Sequence, residues 1–388
     1  MYNININMNL ISRICNSYKC SLEDEVNLNH DSISQDSMWV HWIKPKLNDV
    51  LTDCYNNNIE KTYYNLSNPY KNNITFGFEY YNSTLNTFKE LQTCNDDIKN
   101  CLIKLCQSLG LLRVFNPEGG ERSDLYNIDI DIETILLELD TYFGFTIDFP
   151  DIFEKDASYN WLAYVNINKD LQHAGLITKE QVDYHFNNYG KYENRIYNGY
   201  MGIFTTRGII TTRAAHSLHF MSRIKTTLKN NIINSTILEI GAGLGRNAYY
   251  AKKLGVKKYI IIDLPATSII SSYYLGKTLG EENITLYSES TNNYVHILPP
   301  NKYINNLNVD LIVQFDGFTE MGLVNSENYM NNFNKIAPLF LSINHEANTY
   351  TFNHLYKKNK NITCIYRFPS WYRDGYVEEL LQCTNQNI

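Results

Sequence analysis

The chain has 388 residues, of which 44% are hydrophobic, so it can bury a sizeable core and, at about 150 residues per domain, is expected to form two domains. Its formal net charge of −7 offers no basic surface, so we expect neither nucleic acid nor a membrane as a partner. The sequence shows no signal peptide, no run of about 18 apolar residues and no C-x-x-C or zinc spacing among its eight cysteines. We therefore expect a cytoplasmic protein with reduced thiols.

Residues 1–210 are predicted to form a mainly helical domain. Residues 1–75 are polar and poorly periodic, with isolated aromatic residues such as Trp39 and Trp42, and we expect short helices and loops there. Helical spacing of apolar residues predicts helices over 85–110 and 131–144, and Thr178-Lys-Glu-Gln181 has the form of a capping box. We expect this domain to shape a binding site or to form a homo-oligomer contact.

Residues Thr212 to Lys229 are predicted to form a helix that leads into the second domain, 211–388. Its apolar residues form one stripe, as in an amphipathic helix. His216, His219 and Arg223 lie on a neighbouring face at spacings of three and four residues. Three interpretations are open: a solvated face, a polar stripe that faces a ligand, or half of a metal site.

The stretch Thr236–Ala248 reads TILEIGAGLGRNA and is predicted to be a short strand, a glycine turn and the start of a helix. Gly241, Gly243 and Gly245 permit backbone conformations that other residues avoid, and they let a ligand approach the main chain. Glu239 ends the strand two residues before the first glycine, so we expect its carboxylate at the turn.

A second predicted strand, Lys258–Asp263, ends in an acid at the position that binds the two ribose hydroxyls in βαβ nucleotide sites. Dinucleotide sites usually read G-x-G-x-x-G/A, whereas this turn reads G-x-G-x-G and Arg246 stands where the small residue belongs. The acid-x-G-x-G-x-G pattern resembles the first motif of class I methyltransferases. S-adenosylmethionine is therefore favoured over NAD, and a turn that binds nothing is the remaining alternative.

After Asp263 the pattern predicts a doubly wound α/β sheet, Rossmann-like, mostly parallel and seven-stranded. Further strands are predicted over 283–288, 310–315 and 339–343, followed by a closing hairpin of 361–368 and 376–383. Ligands of such sheets bind beyond the carboxyl ends of the strands. The charged residues predicted to converge there are Glu239, Asp263, Glu289, Asp316, Glu320, His345 and Glu346.

Residues 200–385 resemble the sugar O-methyltransferase family of class I methyltransferases. The similarity rests on the glycine turn and on four further segments: Gly208–Ala215 (GIITTRAA), Tyr259–Pro265 (YIIIDLP), Leu339–Ala347 (LFLSINHEA) and Phe368–Val377 (FPSWYRDGYV). The glycine turn is shared by class I methyltransferases in general, whereas the Ile-Asn-His-Glu and Pro-Ser-Trp segments narrow the resemblance to this family.

The resemblance implies S-adenosylmethionine as the methyl donor and a hydroxyl of a nucleotide sugar or glycan as the acceptor. It carries the cofactor turn onto Glu239 and the three glycines, and the ribose ligand onto Asp263. Glu289, after the third predicted strand, is the candidate for the adenine edge, and a backbone amide is the alternative.

Methyl transfer to a hydroxyl requires alignment of the nucleophile and help with its deprotonation. His345 is the first candidate for the base, since an imidazole accepts a proton near neutral pH. Asp316 and Glu320 form a second candidate, either as base or, together with Glu346, as ligands of Mg²⁺. A purely structural role is the alternative for each of them.

Trp371, Tyr372 and Arg373 are predicted to bind substrate, with aromatic rings for a sugar and a cation for a phosphate or carboxylate, and plain packing is the alternative. The Asn/Asp/Ser-Pro-Pro-Tyr/Phe motif is absent after the fourth strand, which disfavours nucleic-acid methylation. Two rival functions remain open. One is an NAD-dependent oxidoreductase acting on nucleotide sugars, and the other is a non-catalytic module that binds S-adenosylmethionine.

Overall fold

The computed structural model describes residues 2–27, 48–68, 74–75, 77–79, 85–113, 130–152, 159–199, 201–303 and 307–383. Two compact units are present, one formed by Met1–Ser67 with Arg223–Ile388 and the other by Asn68–Ser222. We call them the sheet unit and the helical unit. Trp39 and Trp42, which the sequence placed among short helices and loops, lie outside the described residues.

The helices, numbered in chain order, are α1 (Tyr2–Asn27), α2 (Ile59–Ser67), α3 (Phe88–Ser108), α4 (Ile132–Phe143), α5 (Trp161–Ile167), α6 (Lys169–His173), α7 (Lys179–Asn188), α8 (Thr212–Leu228), α9 (Arg246–Lys253), α10 (Pro265–Leu279), α11 (Leu323–Asn332) and α12 (Phe352–Tyr356). The strands are β1 (Ile203–Thr205), β2 (Gly208–Ile210), β3 (Thr236–Ile240), β4 (Lys258–Ile262), β5 (Ile284–Thr285), β6 (Val295–Leu298), β7 (Leu311–Phe315), β8 (Leu339–His345), β9 (Ile362–Pro369) and β10 (Tyr376–Cys383).

The helical unit contains α3–α7 and a small antiparallel pair, β1 and β2. Asp131 caps α4 at its start through the Thr134 amide, and Gly144 ends it in the left-handed conformation. The predicted capping box at Thr178 and Gln181 is confirmed at the start of α7. The predicted helices of this unit therefore begin at the capping residues that the sequence indicated. Strands β1 and β2 were not predicted, because three residues are too few to show a periodicity.

The sheet unit contains an eight-stranded sheet in the order β5-β6-β4-β3-β7-β8-β10-β9. Neighbouring strands are parallel except that β10 runs antiparallel to both β8 and β9. From β3 the chain first adds strands on one side, through β4, and later on the other, through β7. The carboxyl ends of β3 and β7 therefore flank a topological switch point, which is where doubly wound sheets bind ligands.

The predicted Rossmann-like α/β fold is confirmed, but the expected count of seven strands is wrong by one. The predicted third strand, 283–288, is reduced to the edge strand β5, and the strand that pairs with β4 is β6. Strand β6 has only four residues and ends at Leu298, just before Pro299, so its alternation was too short to detect from sequence.

The first 67 residues belong to the sheet unit, so the division predicted at residue 210 does not follow the two compact units. The short helices expected over residues 1–75 are present at 48–55 and in α2, but α1 is a single helix of 26 residues. Its buried side chains, Leu10, Ile11, Ile14, Cys15, Tyr18 and Ser21, recur at helical spacing. Leu10 packs over Gly276 of α10, where a Cβ atom would lie 2.7 Å from a Leu10 methyl carbon. Polar residues between these positions, such as Arg13, Asn16 and Lys19, masked the apolar stripe in the sequence.

A large apolar cluster lines one face of the sheet and includes Leu238, Ile240, Ile260, Ile262, Ile312, Phe318, Phe333, Phe340 and Phe352. Burial of each such side chain stabilises the fold by about 1.5–3 kcal/mol before entropy is counted. All eight cysteines are free thiols. Among the described residues, no helix is both long and apolar enough to cross a membrane.

Candidate cofactor and active site

The glycine turn follows β3 at the switch point, and all three glycines have positive φ: +76° at Gly241, +58° at Gly243 and +86° at Gly245. The Gly241 amide donates to the Ile262 carbonyl at 2.8 Å, which fixes the turn against the end of β4. Gly245 begins α9, and a Cβ atom there would lie 2.8 Å from Leu275 Cδ1. The turn therefore needs glycine for backbone conformation and, at Gly245, also for packing.

Asp263 lies directly after β4 and binds the glycine turn. Its Oδ2 accepts a hydrogen bond from the Gly243 amide at 2.9 Å, and its Oδ1 accepts one from the Leu264 amide at 2.7 Å. Burial raises the pKa of Asp263 to about 7, although the hydrogen bonds from Gly243 and Leu264 oppose that rise. The structure thus brings the predicted ribose ligand and the predicted turn together, with a buried carboxylate at the ligand edge of the sheet.

Glu239 is buried beneath the turn. Its carboxylate accepts hydrogen bonds from Asn247 Nδ2 at 2.6 Å and from the Tyr259 hydroxyl at 3.0 Å. Burial raises the pKa of Glu239 to about 7, and the charge of Asp263 adds to that rise. These contacts join β3, α9 and β4, so Glu239 braces the elements that carry the turn.

His345 is the last residue of β8, and Glu320 follows β7 at the same edge. The two side chains form a pair, with His345 Nε2 3.0 Å from Glu320 Oε1. Thr319 Oγ1 lies 3.5 Å from the same ring nitrogen. Both side chains are half-buried, with 16% of the side-chain area exposed.

Asp316 lies at the carboxyl end of β7 with φ of +69°, a conformation that L-residues other than glycine rarely adopt. Its carboxylate binds Arg373 Nη1 at 2.8 Å and the Tyr376 hydroxyl. Tyr376 pairs with His345 across β10 and β8, and their rings lie 5.7 Å apart. Two predicted catalytic residues and one predicted substrate residue therefore meet in one cluster, held by a tyrosine that the sequence reasoning did not select.

The acidic residues proposed as Mg²⁺ ligands have other partners. Glu346 binds Arg367 at 2.6 Å, Asp316 binds Arg373, and Glu320 binds His345. Within the described part of the chain, no group of three or more His, Cys, Asp or Glu side chains is arranged to hold a metal. The structure thus gives the magnesium hypothesis no support.

The predicted aromatic platform is only partly exposed. Tyr372 is buried, with 3% of its surface accessible, and meets the Trp371 ring edge-on at 5.7 Å. Arg373 lies flat against the Tyr376 ring, at 3.6 Å from its centroid. Tyr372 therefore supports the hairpin from inside, and a stacking role for Trp371 stays a prediction.

Glu289 does not join the other predicted site residues. It forms a bidentate pair with Arg13 of α1, at 2.7 and 3.0 Å. Strand β5 pairs only with Val295 and His296, the first residues of β6, so the loop that carries Glu289 lies at the amino end of β6. The glycine turn lies at the opposite, carboxyl end of the strands. The prediction for Glu289 was wrong because the third strand of the sheet is β6, whereas the sequence placed it at 283–288. The Arg13 contact gives Glu289 a structural partner in place of adenine.

The loop after β6 reaches the ligand edge beside Asp263, and it contains Asn301. Both polar side-chain atoms of Asn301 are buried and have no hydrogen-bond partner among the described residues. Sequence reasoning missed this residue because it missed β6. The Pro299–Pro300 pair that precedes Asn301 was the available signal for a strand end.

Of the three interpretations of the polar face of α8, the solvated face is wrong for both histidines. His216 and His219 are buried, at 7% and 0% exposure, although their spacing suggested a polar stripe. Arg223 forms a bidentate pair with Glu378 of β10, with nitrogen–oxygen distances of 2.8–3.0 Å. Arg223 is therefore part of the framework of the sheet unit.

No protein-family model matches the chain, and no curated protein matches it. Solved structures do match in part. A ribosomal protein L11 methylase from Lactobacillus delbrueckii subsp. bulgaricus is 11% identical, with 44% of this chain and 80% of that chain covered and a TM-score of 0.33. An S-adenosylmethionine-dependent methyltransferase from Clostridium acetobutylicum is 9% identical, with 42% and 89% covered and a TM-score of 0.33.

TrmK of M. capricolum, solved with S-adenosylhomocysteine, is 12% identical, with 40% of this chain and 67% of that chain covered and a TM-score of 0.29. Similarities at this level of identity and TM-score do not extend to substrates or to individual residues.

Proposed function

We propose that the protein is an S-adenosylmethionine-dependent methyltransferase that methylates a hydroxyl group of a sugar. The observation that carries the proposal is the contact between the glycine turn and Asp263 at the switch point of the sheet. A carboxylate at the end of the second strand of such a unit is placed to accept hydrogen bonds from two ribose hydroxyls. Dinucleotide sites have a small residue at the position after the third glycine. Here that position is Arg246, which packs over the Tyr274 ring, and this disfavours NAD.

The residues present fit the nucleoside part of such a cofactor. Among the described residues, only Gln314 Nε2 would lie within 4 Å of a Cβ atom at Gly241, at 3.9 Å, so the turn leaves room for a ligand at this point. Asp263 would hold the ribose. The unpartnered side-chain amide of Asn301 offers one donor and one acceptor, which is the pair that an adenine edge requires. When bound there, S-adenosylmethionine supplies a methyl carbon activated by a sulfonium.

His345 and Glu320 support the transfer of a proton from a hydroxyl acceptor. The Glu320 carboxylate is an acceptor, so the proton of the neutral imidazole belongs on Nε2 and the lone pair on Nδ1. The contact between Nδ1 and the Ala347 amide is long, at 3.4 Å, and is easily displaced by a stronger donor. When a hydroxyl acceptor takes the methyl group, the carbon–sulfur bond of the donor would break and leave S-adenosylhomocysteine. The hydroxyl proton would pass to His345 Nδ1, and Glu320 would stabilise the resulting imidazolium.

The sugar assignment is supported by the resemblance of the C-terminal segments and by the polar character of the cluster. Asp316 and Glu320 provide acceptors for hydroxyl groups beside His345, and Trp371 provides a partly exposed ring. A hydroxyl-rich acceptor suits such a surface because each carboxylate oxygen keeps a lone pair beyond its present hydrogen bond, and a hydroxyl can donate to it.

The proposal is tested by calorimetric titration of the purified protein with S-adenosylmethionine, S-adenosylhomocysteine and NAD. We expect the first two to bind and Asp263→Ala to abolish that binding, with Asp374→Ala, an exposed acid of the hairpin, as the matched control. Transfer of a labelled methyl group to a panel of nucleotide sugars and glycans then tests the acceptor. Binding of NAD alone would exclude a methyltransferase, and cofactor binding without transfer to any panel member would contradict the sugar assignment.

A further inference from the structure

Three buried polar side chains at the ends of β7 and β8 form a hydrogen-bonded chain with a fixed direction. Asn344 Oδ1 accepts hydrogen bonds from the amides of Gly317 at 3.1 Å and Phe318 at 3.0 Å. Backbone amides can only donate, so these two bonds fix the orientation of the Asn344 side chain. Its Nδ2 then donates to Ser342 Oγ at 2.7 Å and to Gln314 Oε1 at 2.6 Å.

The orientation of Gln314 follows from that of Asn344. Because Gln314 Oε1 is held by Asn344, the Nε2 group points away from it, toward the glycine turn. A Cβ atom would lie 2.6 Å from Gln314 Nε2 at Gly317 and 3.9 Å from it at Gly241. The Gln314 side chain is fully buried, and its Nε2 has no hydrogen-bond partner among the residues that the structure describes.

A buried donor without an acceptor is costly, so the direction of this amide calls for an explanation. The position lies beside the first glycine of the turn, between β3 and β7, away from Asp263 at the end of β4. An ammonium group has no lone pair and cannot accept a hydrogen bond from Nε2. A carboxylate can, and a bond to a charged acceptor is among the stronger ones in proteins.

We propose that Gln314 donates from Nε2 to the α-carboxylate of S-adenosylmethionine, and that Asn344 is the positioning residue that holds the amide in this orientation. This inference rests on the proposed function. It assigns Gln314 as the residue that recognises the carboxylate in the amino-acid part of the cofactor. Ser342 and the amides of Gly317 and Phe318 complete the support.

Decarboxylated S-adenosylmethionine provides the sharpest test, since it differs from S-adenosylmethionine in the carboxylate alone. Calorimetry on the full chain should give the wild type a preference of about 10- to 100-fold for the carboxylated ligand. Gln314→Glu keeps the side-chain shape but replaces the donor by an oxygen, so it should remove most of that preference. Gln382→Glu, the same change at an exposed position of β10, should leave both affinities unchanged.

Asn344→Asp tests the positioning role without altering Gln314. The new side chain has no N–H group to offer Gln314 Oε1, so the Gln314 amide turns over and donates inward. The preference for the carboxylated ligand should fall as it does in Gln314→Glu, while affinity for the decarboxylated ligand stays within about 2-fold of the wild type. If either change acted only by disturbing the structure, it would lower the affinity for both ligands by the same factor.

The outcomes separate the inference from the proposed function. Two results would overturn the assignment of the carboxylate to Gln314. One is an equal loss of affinity for both ligands in either variant, and the other is an unchanged preference of Gln314→Glu for the carboxylated ligand. A third outcome is that Gln314→Glu binds both ligands as the wild type does but transfers methyl groups more slowly. Gln314 Nε2 would then donate to the acceptor substrate, and the assignment of the carboxylate would again be overturned. Failure of the wild-type protein to bind either ligand would refute the proposed function itself.

Discussion

At the scale of single residues, Asp263 couples the candidate ligand site to pH. Its pKa is raised to about 7 by burial, and ribose hydroxyls would donate to its ionised form. Affinity for S-adenosylhomocysteine should therefore rise as the pH increases through about 7. Calorimetric titrations at about pH 6 and about pH 8 measure this, and Asp263→Asn should flatten the dependence. Equal pH dependence in the variant would assign the effect to another group.

The His345–Glu320 pair carries the second residue-scale prediction. Replacement of His345 by Ala should lower kcat by about 10²–10⁴-fold while S-adenosylhomocysteine binds as before, because a general base acts only on the chemical step. Glu320→Gln, which keeps the shape but loses the charge that stabilises the imidazolium, should lower kcat by a smaller factor. Steady-state kinetics with the identified acceptor measures both. Unchanged turnover in His345→Ala would remove this residue from the mechanism.

At the scale of secondary-structure elements, the β3–α9 turn is tied to α10 through Gly245. Gly245→Ala places a Cβ atom 2.8 Å from Leu275 Cδ1 and forces a positive φ of +86° on alanine. Gly375→Ala is the matched control, because its φ is +79° and no atom of the described residues lies within 4 Å of the new Cβ. We expect Gly245→Ala to lower the free energy of unfolding by about 1–3 kcal/mol more than Gly375→Ala.

Chemical denaturation of these two variants separates steric overlap from backbone strain. The cost of Gly245→Ala should be smaller in a Leu275→Ala background than in the wild type, because the overlapping methyl groups are gone. Equal destabilisation by Gly245→Ala and Gly375→Ala would show that the overlap is relieved by a side-chain adjustment.

Helix α1 is the element whose place in the sheet unit was least expected. Leu10 is 1% exposed and packs over Gly276 of α10, whereas its neighbour Asn9 is exposed. Leu10→Ala should lower the free energy of unfolding by about 2–5 kcal/mol, the usual cost of such a cavity. Asn9→Ala should change it by no more than about 0.5 kcal/mol. Denaturation curves of the full chain measure both, and a small effect of Leu10→Ala would contradict this packing of α1.

At the scale of the whole molecule, two buried carboxylates affect the pH dependence of folding. The pKa values of Glu239 and Asp263 are both raised to about 7 by burial, so the folded chain keeps protons that the unfolded chain releases above about pH 4. Their contribution to stability is fully present below that pH and is lost as the pH rises through about 7. Without ligand, the loss between about pH 5.5 and about pH 8 should be on the order of 2 kcal/mol per carboxylate.

Urea unfolding of the wild type and of Glu239→Gln at these two pH values measures the contribution. The variant should lose less stability than the wild type as the pH rises. Glu289→Gln is the control. Burial opposes the charge of Glu289, but hydrogen bonds from Arg13 and the Leu286 amide outweigh it and lower the pKa of Glu289, so this residue is ionised in the folded and the unfolded chain at both pH values. Its replacement should therefore leave the loss of stability between the two pH values unchanged. A steeper loss in Glu239→Gln than in the wild type would contradict the raised pKa of Glu239.

The sequence by itself determined the elements that rest on local chemistry. The glycine turn, the acid that follows β4 and the capping boxes are recognisable because backbone conformation and cap hydrogen bonds depend on residues a few positions apart. The alternation of strands and helices after residue 236 determined the α/β class for the same reason. Local patterns also placed Asp316, Glu320 and His345 at strand ends, where the structure finds them.

Only the tertiary structure decided which distant residues meet. The salt bridge between Arg13 and Glu289, the contact of Tyr376 with Asp316, and the burial of His219 each depend on segments far apart in the chain or on the packing around them. The orientation of the Gln314 amide likewise follows from Asn344, thirty residues further along. A side chain's partner in such cases is set by register and packing across the sheet, which no periodicity along one segment records.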